Sequence, residues 1–438
     1  MRRLAAALLL TAAGLSGALA QTAAKSGSPW KEEPVRLHLS TGMDCFFQKD
    51  TTSPTTVVDL VIPGGRGVLP EGRDGLAYLV TRLCLEIPDF DKARDLMIQA
   101  TRLSLAVYED CAVISLACLS ENLEPGLAIA SSIIQSPLMT GLRIDHNKDT
   151  MALMSKAAED DAVVTGHGAA LGALFGGRGY GGAAFGTAAS LKSLDKRSIN
   201  TFYGRRFVRS SLFFSVCSDL DAGAIQTQLE KTFTKFPAGE NPAPADPVQL
   251  PSLPEPKAVD LEKGTKQTYI ARVFLLPAPS PGDFAKGCLL EVLLGRGPGS
   301  RMWVLRTPER LAYNVNARTT WTRAAGLLEA YLETDRAKRA QAAETLDKVL
   351  LRLFEEGTTA DELAATKVLA ASQTLRSVET KEARARTMAL WQVFGLGFDR
   401  IAGIFGDLQA VTLEDMNAYI RSVLDLSRSI SVAVGPKT

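Results

Sequence analysis

Two segments of the chain follow one pattern, and this repeat limits the folds open to the sequence. One segment begins at Ser193 and the other at Thr412, so 219 positions separate them, half of the 438-residue chain. Each has a hydroxyl N-cap residue, an acidic first helical turn, an aromatic residue in mid-helix and then an apolar strand. An internal duplication explains the repeat most economically, so we predict two units with the same fold.

A proline-rich segment separates the two units. Residues 241–256, NPAPADPVQLPSLPEP, contain six prolines and almost no periodic apolar pattern. This composition is typical of an extended, semi-rigid linker. We therefore divide the chain into an amino-terminal domain at 30–240 and a carboxy-terminal domain at 257–438, as expected of a chain too long for one ordinary domain.

Strands and helices alternate in both halves without the regular strand–helix–strand repeat of a doubly wound sheet. The predicted strands begin at Thr55 (TTVVDLVIPGG) and Cys111 (CAVISLACLS) and cover 268–276 and 327–334; the predicted helices cover 120–135, 336–356 and a segment that Thr359 and Glu362 open as a capping box. These elements predict an α+β fold of two homologous domains. Each domain should be a mainly antiparallel sheet with helices packed on one face.

The first twenty residues have the composition of a secretory signal peptide. Two arginines follow Met1, then comes a short apolar stretch, and Ala18 and Ala20 form a small-x-small cleavage site. No later segment reaches about 18 uncharged apolar residues, so no transmembrane helix is expected. We therefore expect export to the periplasm or the extracellular space. The 49 Lys and Arg balance 48 Asp and Glu, which gives no indication of a nucleic-acid partner.

The cysteines and histidines do not form a recognisable metal motif. The six cysteines include no CxxC pair, and those in apolar runs are typical of small buried side chains. A disulfide and reduced core cysteines remain open alternatives. The three histidines have no second histidine or carboxylate at ligand spacing and are predicted to be structural: His38, His146 and His167.

The segment 72–86, GRDGLAYLVTRLCLE, is predicted to form an amphipathic helix that Asp74 can cap. Tyr78 and Arg82 lie four residues apart and therefore share a helix face, with Thr81 beside them. In an inverted zincin this face carries HxxEH, in which two imidazoles bind zinc and the carboxylate deprotonates its water. Tyrosine is a poor zinc ligand until it is ionised, and arginine is permanently cationic. We therefore expect no metal site here.

The same segment resembles the GxAHxxEH motif of the pitrilysin/insulinase family of zinc peptidases, with Tyr78, Thr81 and Arg82 in the places of histidine, glutamate and histidine. The resemblance puts Met154 in the place of the family's third ligand, a glutamate, although the acidic residues at 159–161 are kept. A soft, neutral thioether does not replace a carboxylate on zinc. GYGGAAFGT and FYGRRFVRSSLFFSVCSD echo two further family motifs in the same order. The resemblance implies the family's fold with a degenerate zinc site and no cofactor in this chain.

The segment 294–315, LGRGPGSRMWVLRTPERLAYNV, is similar to the GxxSRLxxxLRxxxxLxY motif of the same family's second domain. The resemblance assigns Arg306 and Tyr313 to the arginine and tyrosine that, in active relatives, hydrogen-bond the carbonyl or oxyanion of the zinc-bound peptide. From the residues alone, other interpretations remain open. Arg306 could form a surface ion pair with Glu309, and Tyr313 could be a half-buried strand aromatic.

Some members of the family are two-chain enzymes in which one subunit carries HxxEH and a degenerate subunit contributes the arginine and tyrosine. The resemblance implies that this chain is a non-catalytic subunit of that kind, inactive alone. It would pair with a homologous HxxEH-bearing subunit that holds zinc, and Arg306 and Tyr313 would act in trans on peptide substrates. The alternative is a peptide-binding or scaffolding pseudopeptidase of the cell envelope. A serine or cysteine hydrolase is disfavoured, because the sequence has no GxSxG motif and no plausible Cys–His pair.

Overall fold

The computed structural model describes residues 30–240, 253 and 255–436. The predicted signal peptide lies outside these residues, as does nearly all of the predicted linker at 241–256. The described chain forms two sheets, one from strands before the linker and one from strands after it.

The first sheet has six strands in the order β1-β2-β6-β3-β5-β4. Its strands are β1 Val35–His38, β2 Asp44–Lys49, β3 Thr55–Pro63, β4 Arg102–Val107, β5 Cys111–Leu119 and β6 Phe213–Ser218. Neighbouring strands are antiparallel except β2 and β6, which are parallel. The inner strands β3 and β5 are buried along almost their whole length, so both faces of this sheet are covered.

The second sheet has five strands in the order β7-β11-β8-β10-β9. Its strands are β7 Lys257–Glu262, β8 Gln267–Leu276, β9 Asn314–Trp321, β10 Gly326–Asp335 and β11 Ser429–Gly435. Only the β7–β11 pair is parallel. Strand for strand this is the order of the first sheet without β1, so the two halves share one topology.

Helices cover one face of each sheet and supply most of the core. The helices of the described chain are α1 Leu76–Leu83, α2 Phe90–Ile98, α3 Leu123–Ile134, α4 Gly141–Glu159, α5 Ala162–Phe175, α6 Ala188–Ser193, α7 Lys196–Arg206, α8 Ala222–Thr232, α9 Pro281–Gly295, α10 Arg339–Glu356, α11 Ala360–Ser377, α12 Lys381–Phe394, α13 Arg400–Ala410 and α14 Leu413–Val423. Each sheet packs against helices of its own half through one large apolar cluster.

Each sheet also carries, on its second face, one helix from the other half. In the second sheet Val273 and Val432 share a buried cluster with Leu174 of α5, which comes from the first half. In the first sheet Val61 shares a buried cluster with Ala389 of α12, which comes from the second half. The two halves therefore complete each other's cores by exchanging one helix.

The exchanged helices occupy equivalent places in the two halves. The same 219 positions separate Ala162 from Lys381, the first residues of α5 and α12. They also separate His167 from Arg386, and each of these side chains meets a buried carboxylate of the sheet that its helix covers. The duplication predicted from Ser193 and Thr412 therefore extends to the contacts between the halves.

The predicted α+β class with mainly antiparallel sheets is confirmed. The prediction that helices pack on one face only is incomplete, because α5 and α12 cover the second faces. Helical periodicity shows that a helix has a buried side, but it does not show which sheet receives that side. The helix predicted from 336 begins as a 3₁₀ turn and becomes α10 at Arg339.

The structure bears on two points that the sequence raised, the state of the cysteines and the presence of a membrane-spanning helix. All six cysteines are free thiols, five of them buried. Burial raises the pKa of these thiols, for Cys118 and Cys217 to about 12, so they behave as small apolar side chains. Within the described part of the chain, no helix is long and apolar enough to span a bilayer.

Candidate functional site

The degenerate zinc motif lies on α1, a short helix held tightly against a loop. Its apolar stripe is fully buried, which fixes the outward direction of the opposite face. The predicted cap by Asp74 is wrong, because Gly75 is the N-cap, with φ 84° and no side-chain cap. A side chain at Gly75 would meet the backbone of Gly186 at 2.9 Å. Close contact with this loop therefore fixes the start of the helix.

Tyr78 and Met154, the positions of the first and third ligands in the resemblance, lie in contact. The Tyr78 hydroxyl donates to Met154 Sδ at 3.5 Å, and the Tyr78 ring meets Phe185 edge-on with 5.0 Å between centroids. Burial raises the pKa of the Tyr78 phenol, so it remains a neutral donor near pH 7. The pair fills the space with an aromatic ring and a thioether.

Thr81, at the place of the catalytic glutamate, is turned into its own helix. The side chain is buried and its hydroxyl donates to the Ala77 carbonyl at 2.7 Å. A hydroxyl used in this way cannot accept a proton from water near neutral pH. The position therefore has no general base.

Arg82, at the place of the second histidine, belongs to a hydrogen-bonded network that the sequence did not reveal. Its Nε donates to Asn147 Oδ1 at 3.3 Å. Asn147 Nδ2 donates in turn to Glu86 Oε1 at 3.2 Å, and Arg143 Nη1 forms an ion pair with Glu86 at 3.0 Å. Glu86 lies four residues after Arg82, beyond the end of α1 at Leu83, whereas Asn147 and Arg143 come from α4 and no motif marks them.

These residues do not fit a zinc ion. The one carboxylate of the network, Glu86, is paired with Arg143, and the guanidinium of Arg82 adds a second positive charge that is joined to Glu86 through Asn147. The acidic residues kept at 159–161 serve elsewhere, since Asp161 caps α5 through Val163 N and Val164 N. Among residues 30–240, 253 and 255–436, no three His, Cys, Asp or Glu side chains are grouped to hold a metal.

Arg306 and Tyr313 lie on the connection between α9 and β9. Arg301–Leu305 is a 3₁₀ turn that ends at Arg306. The Arg306 side chain is exposed and its guanidinium stacks on Trp303, 4.9 Å from the ring centroid. The open alternative of an ion pair with Glu309 is not formed in this structure, which records no ion pair for Arg306 within its described residues.

Tyr313 stands just before β9 and is 56% exposed, so it is not the half-buried aromatic of the open alternative. Its hydroxyl donates to Asp335 Oδ2 at 2.9 Å. This hydrogen bond, with the charge of Asp335, raises the pKa of the Tyr313 phenol. The described contacts do not join Tyr313 to Arg306, and neither side chain contacts the Tyr78–Met154 pair.

Two of the three histidines have carboxylate partners that their local sequence did not show. His167 Nδ1 lies 3.1 Å from Glu329 Oε2, and His38 Nδ1 lies 2.8 Å from Asp44 Oδ1. Glu329 is buried and also accepts from Arg318 and Tyr269. The carboxylate partners lie on other strands, so spacing along the sequence could not reveal them.

Comparison with known proteins supports the predicted resemblance. Residues 193–368 match the family model described as Peptidase M16 inactive domain. The chain is similar to degenerate members of the M16 (pitrilysin/insulinase) peptidase family. The predicted resemblance is therefore confirmed, and the relatives that carry it include an inactive domain and a non-peptidase homologue.

Similarity to known proteins extends over most of this chain. The "Non-peptidase homolog YmxG" of Helicobacter pylori is 24% identical over 395 residues, which cover 87% of this chain and 89% of the relative. A peptidase M16 inactive domain from Pseudomonas fluorescens has a TM-score of 0.83 at 18% identity, covering 92% of this chain and 98% of that one. A protease from Helicobacter pylori has a TM-score of 0.84 at 14% identity, covering 93% and 100%. At these identities the solved structures show the shared fold alone.

Proposed function

We propose that this protein is a non-catalytic subunit that is exported and pairs with a homologous, HxxEH-bearing subunit to degrade peptides. In this proposal the partner holds the zinc, and this chain supplies Arg306 and Tyr313 to the peptide in the partner's site. The match to an inactive M16 domain and the similarity to a non-peptidase homologue support the non-catalytic role.

The proposal depends on a contrast between the residues at the degenerate zinc site, Tyr78 and Arg82, and the exposed Arg306. The polar atoms of Tyr78 and Arg82 are used in hydrogen bonds within the chain. The Arg306 guanidinium, by contrast, is exposed on the face of Trp303. A cation held on an aromatic ring with its donors directed to solvent is suited to bind a carbonyl or oxyanion of another molecule.

Tyr313 can contribute a neutral donor to the same task. Its raised pKa keeps the phenol protonated near pH 7. The Tyr313 hydroxyl donates to Asp335 in the unbound protein. In this proposal it breaks that hydrogen bond when a peptide binds and donates to the substrate oxygen instead. Both groups lie at the surface, so the exchange needs no rearrangement of the core.

Exposed apolar side chains near the degenerate site support association with another subunit. Phe90, Met97 and Ile98 of α2 are 80%, 82% and 74% exposed. Leu142 and Leu153 of α4, the helix that carries Met154, are 83% and 70% exposed. A contiguous apolar patch at a protein surface typically marks an interaction site, and these exposed side chains of α2 and α4 could contribute to such a patch.

The test is co-purification from the native source followed by a peptidase assay of the complex. We expect Arg306→Ala and Tyr313→Phe each to lower turnover, by roughly 10- to 1000-fold for a lost oxyanion donor. The matched control is Arg421→Ala on α14, an exposed arginine for which the structure records no ion pair in its described residues. Unchanged turnover in both site variants would reject the proposed roles.

The second candidate is a peptide-binding or scaffolding pseudopeptidase of the cell envelope. One observation favours it: β9 is an outer strand of its sheet and begins directly after Tyr313. An extended peptide could add to this edge without any chemistry. A neighbouring reading frame for a similar exported chain with intact HxxEH would favour the enzyme pair, and its absence would favour the binder.

A further inference from the structure

A groove lined by arginines runs along α7 and the loop that follows it. It consists of two adjoining cavities of about 350 Å³ and about 410 Å³, which share Val68 and Arg206. Six arginines line it: Arg73, Arg197, Arg205, Arg206, Arg209 and Arg323. Arg323 comes from the β9–β10 turn of the second half, so the groove lies where the halves meet.

These arginines have no carboxylate partners in the described chain, whereas many other arginines of the protein form ion pairs. Burial, and then the neighbouring charges of Arg205 and Arg323, lower the pKa of Arg206. Several positive charges held together without counter-ions favour an anion from outside the protein.

The three carboxylates that line the groove are already engaged. Asp44 pairs with Arg36 at 2.6 Å and with His38 at 2.8 Å. Asp110 accepts from the Tyr180 hydroxyl at 2.6 Å and from Arg323 N at 2.7 Å, and burial raises its pKa. Asp195 caps α7 by accepting from Ser198 N at 2.8 Å. Asp110 interacts electrostatically with Arg323, and Asp195 with Arg73, but none of the three carboxylates forms an ion pair with a groove arginine in the described chain.

Two of the guanidinium groups are held in place. The Arg206 guanidinium lies against Gly64, where an added Cβ would meet Arg206 Nη1 at 3.0 Å. Arg209 Nη1 donates to the Thr41 carbonyl at 3.3 Å, while Arg209 Nε is buried without a hydrogen-bond partner in the described chain. A buried donor without an acceptor costs free energy, which a bound oxyanion would recover.

We propose that this groove binds acidic peptide segments, with arginines 206 and 209 receiving a carboxylate. Guanidinium groups match carboxylates through paired hydrogen bonds. Apolar groups such as Leu76, Phe202 and Phe213 also line the two cavities. They favour a peptide that carries both acidic and apolar side chains over a bare inorganic anion. The site lies within this chain and needs neither zinc nor a partner subunit, so it is independent of the function proposed above.

The test measures peptide binding to the purified, isolated protein by calorimetry. The probe is a blocked hexapeptide of alternating Glu and Leu, and its matched control carries Gln in place of Glu. We expect the acidic peptide to bind at least about tenfold more tightly, because a hydrogen bond from a guanidinium to a carboxylate is stronger than one to a neutral amide. Binding should weaken as salt is raised. Equal affinity for the two peptides would overturn the proposal.

The variants locate the site. Arg206→Gln with Arg209→Gln should weaken binding of the acidic peptide by at least about tenfold. Arg421→Gln with Arg428→Gln makes the same change of net charge at exposed positions outside the groove and should leave affinity within about twofold. If the first double variant fails to fold, Arg323→Gln on the exposed turn provides the readout, with a loss of about threefold or more expected.

A competition experiment with inorganic phosphate shows whether the groove binds a peptide carboxylate or a free inorganic anion. We expect phosphate alone to bind weakly and to compete with the acidic peptide only at high concentration. Tight phosphate binding that the groove variants abolish, with no added affinity from the peptide, would contradict a peptide site. Acidic-peptide binding that all groove variants leave unchanged would also overturn the proposal.

Discussion

Single residues explain why α1 cannot hold a metal. The side chains at the ligand positions bond to the protein itself, with Tyr78 donating to Met154 and Arg82 donating to Asn147. Arg82 would also repel a divalent cation, because its guanidinium stays positively charged. Arg306 and Tyr313, by contrast, are exposed at the surface.

The hydrogen bond from Tyr313 to Asp335 has a measurable consequence. Because Asp335 raises the pKa of Tyr313, Asp335→Asn should lower that pKa toward the ordinary value of a tyrosine, about 10. An ultraviolet difference titration between each protein and its Tyr313→Phe derivative isolates the one phenol. An identical Tyr313 titration with and without the Asp335 charge would contradict this account.

The family's motifs indicated part of the site, and packing determined the rest. The resemblance selected Tyr78, Thr81, Arg82 and Met154, and the structure places Tyr78 against Met154. It did not reveal Asn147, because an asparagine in the middle of α4 has no pattern of its own. Hydrogen-bond partners from different helices become visible only when the helices are packed.

At the scale of elements, each exchanged helix places one polar side chain against a buried carboxylate of the sheet that it covers. Arg386 of α12 donates to Asp59 at 2.8 Å and to the Tyr108 hydroxyl at 2.9 Å, on the second face of the first sheet. His167 of α5 holds the equivalent place on the second sheet and meets Glu329. Burial disfavours the charge on Glu329, but His167 and Arg318 outweigh it, so its pKa is lowered.

Removal of Arg386 should destabilise the protein in a pH-dependent way. Burial already raises the pKa of Asp59, and Arg386 counteracts this. In Arg386→Met the lone carboxylate should cost about 3 kcal/mol of unfolding free energy at pH 7. The loss should shrink as pH falls, because Asp59, with its pKa raised further, then becomes neutral by taking up a proton.

Denaturant unfolding at neutral and mildly acidic pH checks this expectation. Arg421→Met, on the exposed side of α14, is the matched control and should change the free energy of unfolding by less than about 0.5 kcal/mol. The interpretation fails if Arg386→Met costs the same at both pH values, or if it costs nothing.

The sequence predicted the strands of the sheets better than α12. The runs from Thr55 and Cys111 form β3 and β5 almost as predicted, since β-branched apolar runs have few other places in a fold. In α12, by contrast, Lys381 and Arg384 are buried. Charged residues usually indicate a solvent-exposed helix face. The charges of α12 therefore gave no sign that this helix is covered on several sides.

At the scale of the whole molecule, the two halves depend on each other. One face of each sheet packs against helices of its own half, and the other face packs against a helix of the opposite half. The repeat from Ser193 to Thr412 predicted the duplication and the shared topology. It could not predict the exchange, because a sequence repeat is equally compatible with two independent domains.

The exchange predicts that neither half folds well alone. Residues 30–240 or 257–438 expressed separately should expose the apolar face that α12 or α5 normally covers, and should show weak, poorly cooperative thermal unfolding. The two fragments expressed together should associate and recover a cooperative transition, as measured by circular dichroism and size-exclusion chromatography. A full-length chain cut only within 241–256 is the control. Cooperative unfolding of either half alone, at the temperature of the intact protein, would refute the interdependence.

Quantitative metal analysis is the most direct test of the central claim, that this chain supplies substrate-binding side chains while its partner supplies zinc. The isolated protein, incubated with zinc and dialysed, should retain none, and the complex co-purified from the native source should contain about one zinc per pair of subunits. Stoichiometric zinc bound to the amino-terminal half of the isolated chain would contradict the claim.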